Sequence, residues 1–388
     1  MKAIINGKII TPQGIKEGVL VYGDGKIKEI AAEAPAGSEI IDAKGNYVSP
    51  GFIDIHIHGG GGGDTLDGRV DSYLKIANSQ AEHGTTTLYP TVMTSTPESL
   101  YNSVNAYREA IKVNDKGSSM PGIHIEGPYF APTKAGAQDK RYIRSPKKEE
   151  YLEILDKCPE VVRWDFAPEV ADTVEFVKDL EARGIITSIA HTEASFEDCE
   201  KVYAAGTKLM THFFACMSTL HKVGLFRYAG AVEFGYYHDD VDCEIIADGF
   251  HVQPSVLKTA IKIKGVDHIV LVTDAMRAAG LPEGIYIFGG LDNGYPVTVE
   301  GGIAYLEGKA GLASSVATAD CLVRTILKNT DCTLVDAVKM AATNPARVMK
   351  IGDRTGSIEA GKDADIIIFD EGINVKTTII KGKTVFQA

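Results

Sequence analysis

The sequence predicts a TIM barrel, a (β/α)8 fold, with a small β-sandwich domain formed by both termini. Eight short apolar runs alternate with segments of helical spacing over residues 50–351. Residues 1–49 and 352–388 instead contain β-branched runs separated by turn residues such as Asn-Gly and Asp-Gly. Eight β/α alternations favour a closed barrel over an open doubly wound sheet, which is the alternative fold. We therefore expect a barrel at 50–351 and a sandwich at 1–49 plus 352–388.

The apolar runs define the predicted barrel strands, and helical patterns lie between them. Clear helical patterns occur at residues 70–84, 173–185 and 195–207. The predicted strands, in chain order, are GFIDIHIH, TTTLYPT, GIHIEGP, VVRWDFAPE, IITSIAHTE, KLMTHFF, DCEIIADGFH and HIVLVTDAM.

Composition excludes several classes of function. The formal net charge of −12 argues against nucleic acid or an anionic membrane surface as a partner, since both require a basic face. The six cysteines show no CxxC spacing, so we expect reduced thiols rather than a thiolate metal site or a disulfide framework. Because neither a signal peptide nor a membrane-spanning apolar stretch is evident, we expect a cytoplasmic protein that acts on a small molecule.

Histidines and carboxylates stand at the ends of the predicted strands. In a barrel of parallel strands the C-terminal ends meet at one rim, where catalysis takes place. A single buried histidine is often a core residue, but core histidines have no reason to choose the same end of different strands. The residues at this rim are His56, His58, Glu126, His191, His212, Asp248, His251 and Asp274.

These residue types predict a site for one or two divalent transition-metal ions. His56 and His58 are two residues apart on a strand, so both imidazoles face one side. Imidazole and carboxylate ligands without thiolate suit Zn²⁺ or Fe²⁺, with Mn²⁺ or Co²⁺ as alternatives. Such an ion activates water and polarises a carbonyl, and Asp274 is the predicted proton shuttle. The glycine run after His58 is expected to pass close to a ligand, to adopt positive φ, or to form a flexible turn.

Motifs along the whole chain carry a family resemblance. They are PGFIDIHIHG, HIEGPYF, IAHTEA, MTHFFACM, ADGFHV, LVTDAM and the C-terminal TNPARVMKI with GSIEAGKDADIIIFD. Together they resemble the amidohydrolase superfamily and, within it, the N-acetylglucosamine-6-phosphate deacetylases, for which HIEGP is a specific marker. Glu126 takes the bridging position that a carboxylated lysine occupies in hydantoinase-like relatives.

The resemblance implies a TIM barrel with a β-sandwich, a homodimer, and hydrolysis of the acetamide of an N-acetyl amino sugar 6-phosphate to acetate and an amino sugar phosphate. It also implies roles for individual residues. The main metal ligands would be Glu126, His191 and His212, and the pair for a second ion would be His56 and His58. His251 would contact the substrate, and Asp274 would be the catalytic acid/base.

The sequence departs from the family pattern around the substrate. Ala215 and Cys216 stand where the family's THxxNAM has Asn and Ala, at a backbone that meets the substrate. Gln138 stands where the family has a histidine that engages the substrate carbonyl. A glutamine amide still donates a hydrogen bond but cannot carry a proton. These three positions are therefore expected to contact the substrate and to alter its selection.

The expected phosphate-binding residue also differs from the family pattern, so the sequence leaves several substrates as alternatives. The arginine expected to reach the phosphate across the dimer interface falls at Val223, so Lys222 and Arg227 are the candidate replacements. N-acetylglucosamine 6-phosphate is the first expectation, and N-acetylgalactosamine 6-phosphate or an unphosphorylated amide are alternatives. A cyclic-amide amidohydrolase is a second alternative, which a bridging lysine would have supported. A catalytically inactive relative is a third alternative, but it would have no chemical need for the five candidate metal ligands together with Asp274.

Overall fold

The structure is a computed structural model that describes all 388 residues. It contains the predicted TIM barrel, in which eight parallel strands follow one another in chain order. Backbone hydrogen bonds join the two ends of this sheet, because Asp274 N donates to the His56 carbonyl and His58 N donates to the Ala275 carbonyl, each at 2.9 Å. The barrel strands β1–β8 are Phe52–Ile57, Thr85–Met93, Ile123–Glu126, Val161–Phe166, Ile186–Ile189, Leu209–Met210, Asp242–Ile245 and Ile269–Leu271.

Helices cover the outside of the barrel and bury their apolar faces against the strands. The second helix, Pro97–Val113, begins where Thr96 Oγ1 accepts a hydrogen bond from Ser99 N at 3.1 Å and where proline occupies the first turn. None of the helices combines the length and the apolar character needed to cross a membrane. The helices α1–α8 are Val70–Glu82, Pro97–Val113, Lys148–Lys157, Thr173–Ala182, Phe196–Ala205, Ala231–Tyr237, Pro254–Lys264 and Ala319–Asn329.

Both termini build the β-sandwich. One sheet has four N-terminal strands: Lys2–Ile5, Val19–Gly23, Lys26–Ala31 and Glu39–Asp42. The other combines the two ends of the chain: Lys8–Thr11, Gly14–Lys16, Tyr47–Pro50, Ile366–Phe369, Val375–Ile380 and Lys383–Gln387. Ile366–Phe369 pairs antiparallel with Tyr47–Pro50, and both sheets contribute to one buried apolar cluster. The domain boundaries 1–49, 50–351 and 352–388 stay a prediction.

Two insertions after barrel strands extend the C-terminal rim. After β6, His221–Val223 and Phe226–Tyr228 form an exposed antiparallel hairpin, which we call the arm. Between β8 and α8, three antiparallel strands form a sheet whose Phe288 and Val297 pack in one cluster with Met93 and Met276 of the rim. These strands are Gly284–Phe288, Tyr295–Glu300 and Ile303–Tyr305. The residue pattern did not predict this sheet.

A layer of ionic side chains fills the barrel directly below the rim. Arg163 on β4 is fully buried, forms ion pairs with Asp165 and Glu244, and donates to the Ile55 carbonyl at 3.1 Å. These bonds cross the barrel interior, since Ile55 lies on β1 and Glu244 on β7. His124 Nε2 lies 2.8 Å from the Asp165 carboxylate. The barrel core beneath the candidate site is therefore charged, and removal of one partner would leave a buried charge uncompensated.

Candidate active site

Three predicted side chains meet at the centre of the rim. The Nε2 atoms of His191 and His212 each lie 3.1 Å from Glu126 Oε1 and 3.1 Å from each other. Glu126 ends β3, whereas the two histidines follow β5 and β6, so residues far apart in the chain share one point. All three side chains are buried. The predicted gathering of these residues is therefore present in the structure.

The geometry of this group fits one divalent metal ion. His191 Nδ1 lies 2.8 Å from the Lys134 carbonyl, which can only accept a hydrogen bond, so Nδ1 carries the proton and Nε2 keeps its lone pair. This lone pair and the Glu126 carboxylate oxygen that faces it repel each other unless a cation lies between them. A tetrahedral site with bonds of about 2.0–2.1 Å places its ligand atoms about 3.3 Å apart. The observed 3.1 Å separations are close to that spacing.

A second group adjoins the first. His58 Nε2 lies 3.1 Å from Asp274 Oδ1, 3.3 Å from Glu126 Oε2 and 3.3 Å from His56 Nε2. The Thr91 carbonyl, 3.1 Å from His58 Nδ1, orients this imidazole in the same way as Lys134 orients His191. His56, His58 and Asp274 could thus hold a further ion, with Glu126 between the two groups.

The backbone is strained where these residues leave the strands. His191, His212 and Asp274 have positive φ values of 44°, 31° and 45°, which side chains other than glycine rarely adopt. Such strain persists only where the surrounding structure enforces it, and it is concentrated at functional sites. At each of these three residues the chain turns at the end of the strand, and the side chain joins one of the two groups described above.

Burial and the ionic layer set the protonation of nearby groups. Burial lowers the pKa of His124 to about 4, and the Arg163 guanidinium contributes to the lowering, so this imidazole is neutral. Burial raises the pKa of Asp54 to about 6, although hydrogen bonds from Thr273 and the backbone of His56 oppose the rise. Burial also opposes ionisation of Asp274, but the imidazoles of His56 and His58 outweigh it and hold the pKa of this carboxyl below its usual value.

Gln138 contacts a predicted metal ligand directly. Its Nε2 donates to Glu126 Oε2 at 2.6 Å, and its Oε1 accepts from Thr94 N at 3.0 Å. The side chain is buried, and it also lines the pocket. It was expected to contact substrate. The structure adds a contact to Glu126, which the sequence did not indicate.

The other predicted substrate residues fall into two groups. Ala215, Cys216 and His251 line the same cavity of about 400 Å³ as Glu126, His191, His212 and Asp274. Asp248 accepts from His251 Nδ1 at 2.7 Å. Lys222 and Arg227 lie on the exposed arm and do not line the pocket of their own chain. Their predicted role in phosphate binding would therefore need a second copy of the chain.

The glycine run serves local packing. Gly59–Gly60 and Gly63–Asp64 form a small hairpin, and Gly61 and Gly62 adopt positive φ in its turn. A Cβ at Gly63 would lie 2.3 Å from the Ser72 carbonyl oxygen, so only glycine fits against α1. These glycines do not line the pocket that holds the metal-site residues.

Residues that the sequence analysis did not single out support the site from below. His124, Arg163, Asp165 and Glu244 belong to the ionic layer, and Glu244 accepts from His212 N at 3.4 Å. A sequence pattern that could have predicted this layer is the presence of ionisable residues at alternate positions inside apolar strands, as in His124 with Glu126 and Arg163 with Asp165.

Known proteins match nearly the whole length of this chain. A profile of the Amidohydrolase family matches residues 47–385. The N-acetylglucosamine-6-phosphate deacetylase of Bacillus subtilis (strain 168) is 34% identical over 379 residues, which cover 96% of this chain and 93% of the relative. The N-acetylgalactosamine-6-phosphate deacetylase of Escherichia coli O157:H7 is 28% identical over 378 residues, with 97% of each chain covered.

A solved structure matches the whole fold. It is a mutant of N-acetyl-D-glucosamine-6-phosphate deacetylase from Mycobacterium smegmatis in complex with N-acetyl-D-glucosamine-6-phosphate. The TM-score is 0.90 at 26% identity, covering 100% of this chain and 99% of that one. The matches extend over the barrel and the terminal sheets alike. This chain therefore belongs to the amidohydrolase family and, within it, to the N-acetylglucosamine-6-phosphate deacetylases.

Proposed function

We propose that this protein hydrolyses the acetamide of an N-acetyl amino sugar 6-phosphate, with N-acetylglucosamine 6-phosphate as its principal substrate. The products are acetate and the amino sugar phosphate. The observation that carries the proposal is the meeting of Glu126, His191 and His212 beside Asp274 in one pocket. The names of the relatives, and the sugar phosphate in the complex from Mycobacterium smegmatis, support the choice of substrate.

The metal site is proposed to involve five side chains. Glu126, His191 and His212 would hold one divalent ion, and His56 with His58 would complete a second position. Zn²⁺ or Fe²⁺ is the proposed ion, because the ligands are imidazole and carboxylate without thiolate. Such an ion supplies Lewis acidity towards water and towards the amide carbonyl.

Asp274 is proposed to move the proton. Its Oδ1 is buried 3.1 Å from His58 Nε2, and the residue lines the pocket. The lowered pKa of this carboxyl leaves it ionised at neutral pH and able to act as a base. Asp274 accepts a proton from the attacking water as the new C–O bond forms, and it returns the proton to nitrogen as the C–N bond breaks.

His251 and the segment after β6 are proposed to position the sugar. Asp248 accepts from His251 Nδ1, so the opposite ring nitrogen is free to face the pocket as an acceptor. Ala215 lacks the side-chain amide of the asparagine that the family pattern has there, and Cys216 is larger than the alanine that follows it. This difference is the reason to keep N-acetylgalactosamine 6-phosphate and an unphosphorylated amide as alternative substrates. Glu126 in place of a bridging lysine disfavours the cyclic amides.

The exposed apolar tip of the arm is the basis on which we propose a homodimer. Leu225 and Phe226 at its tip are 85% and 69% exposed, which is unusual for apolar side chains side by side. A second copy of the chain would bury them and would receive Lys222 and Arg227 near its own pocket. A cytoplasmic location is proposed as well, in keeping with six free cysteines.

The substrate proposal predicts a dependence on phosphate. Acetate release should be measured for N-acetylglucosamine and N-acetylgalactosamine, each with and without the 6-phosphate. We expect the phosphate to raise kcat/KM by about 10- to 100-fold, the ratio for one or two charge-assisted hydrogen bonds. The glucosamine epimer should be the better substrate. Equal kcat/KM with and without phosphate would reject the phosphorylated substrate.

The role of Asp274 predicts a loss of turnover without a loss of metal. In Asp274→Asn the amide cannot accept the proton of water, so kcat should fall by about 10²- to 10⁴-fold. Metal content, measured by mass spectrometry of the purified protein, should stay near that of the wild type. The matched control is Asp239→Asn at an exposed position, which should leave kcat unchanged. Turnover near wild type in Asp274→Asn would contradict the assignment.

The contact between Gln138 and Glu126 predicts a change in metal affinity. In Gln138→Leu, the Glu126 carboxylate loses a donor and Thr94 N loses an acceptor. Residues that orient metal ligands typically contribute about 10- to 100-fold to affinity, so competition with a chelator should show a loss in that range. Gln387→Leu, on the terminal sheet, is the control. If Gln138→Leu retains full metal affinity and changes only KM, then Gln138 contacts substrate and does not orient Glu126.

A further inference from the structure

A groove of about 1020 Å³ opens beside the catalytic pocket. Met93, Phe288 and the segment 136–138 line both cavities. The groove therefore begins where the pocket ends. A chemical group attached to a substrate in the pocket can extend into the groove while the reacting amide stays beside Asp274.

Two polar walls face each other across this groove. One wall is a stripe on α2, formed by Ser99, Asn102, Asn105 and Glu109, which are three or four residues apart and so share one helix face. The other wall is the turn between Gly284–Phe288 and Tyr295–Glu300, which contributes Asp292 and Asn293. The walls thus present amides, hydroxyls and carboxylates, which bind hydroxyl groups as donors and acceptors.

Aromatic and apolar side chains complete the groove. Tyr142 and Tyr295 contribute rings, and Met93 and Phe288 are buried at the junction with the pocket. The Tyr295 hydroxyl donates to the Ala137 carbonyl at 2.7 Å, which ties this ring to the segment shared by the two cavities. Rings beside polar walls suit a sugar, whose ring has an apolar face and a rim of hydroxyls.

The charges that line the groove are largely neutralised within the protein. Three carboxylates of the groove form ion pairs with arginine or lysine at 2.6–2.7 Å. The pairs are Asp67 with Arg277, Glu109 with Lys112, and Asp139 with Arg141. Among the charged residues that line the groove, only Asp292 and Lys140 lack a salt bridge, and their charges are opposite. A neutral ligand therefore fits the groove better than a second phosphate or a charged peptide.

We propose that this groove binds a neutral sugar unit attached to the amino sugar phosphate, so that the enzyme deacetylates a phosphorylated disaccharide as well as the monosaccharide. This inference rests on the proposed function, and it extends the substrate class without altering the chemistry. The same C–N bond breaks, and the attached sugar contributes binding only.

The test fills the groove without touching the pocket. Asn102→Trp and, on the opposite wall, Asn293→Trp place a large ring in the groove at exposed positions, where substitutions seldom unfold a protein. The control is Ile111→Trp, which is exposed on the same helix outside the groove. The substrates are N-acetylglucosamine 6-phosphate and two disaccharides that carry a glucose unit at O1 or at O4 of that sugar.

For wild type and the control, we expect at least one disaccharide to give kcat/KM of one-tenth or more of the monosaccharide value. Each groove variant should lower that value at least tenfold and leave the monosaccharide value within twofold. The proposal is overturned if both disaccharides fall below one-tenth of the monosaccharide value in wild type, or if the groove variants leave disaccharide turnover unchanged. Those results leave the proposed function intact, because the monosaccharide is still hydrolysed.

Failure of the proposed function is recognised separately, by the absence of acetate from all three sugars. Calorimetric binding of the same sugars then tests the groove alone. Tighter binding of a disaccharide than of the monosaccharide, lost in Asn102→Trp, supports it. Equal binding of the disaccharides and the monosaccharide overturns it.

Discussion

One buried carboxylate organises the rim of the barrel. Glu126 is 2% exposed, and Nε2 atoms of four histidines lie 3.1–3.7 Å from its oxygens. An isolated buried carboxylate is unfavourable by several kcal/mol, so its position at the end of β3 requires partners from other strands. Parallel strands supply them, because all of their C-terminal ends lie at the same rim. The positive φ values of His191, His212 and Asp274 are the local strain that this convergence requires.

The rim depends in turn on the layer beneath it. Arg163 holds Asp165 and Glu244. The Glu244 side chain accepts from His212 N at 3.4 Å, and the Glu244 backbone carbonyl accepts from Phe213 N at 2.7 Å. Charge-assisted hydrogen bonds in this layer fix the direction of each side chain as well as its distance from its partner, since each bond has a preferred geometry. The positions of the proposed metal ligands are thus linked to fully buried contacts beneath them. Gln138 also donates to Glu126, and it belongs to the segment that lines both the pocket and the groove.

Much of the fold and of the site follows from local pattern. The eight strands were predicted because apolar runs and helical spacing alternate, and the histidines were found because they stand where those runs end. The small sheet between β8 and α8 was not predicted, because its strands are only five, six and three residues long and add no β/α alternation to the barrel. The bond between Gln138 and Glu126 was also outside the reach of sequence, since it joins residues twelve positions apart through a loop of irregular structure. The proposed phosphate contacts of Lys222 and Arg227 would need a second copy of the chain, which the residue pattern does not describe.

The central claim is that Glu126, His191 and His212 share one metal ion. The most direct measurement is anomalous X-ray diffraction from crystals of the active protein, recorded on both sides of the absorption edge of the metal that copurifies with it. The account predicts a peak at about 2.0–2.3 Å from Glu126 Oε1 and from both Nε2 atoms. A strongest peak elsewhere in the molecule, or fully active protein that shows no peak at this point, would contradict it.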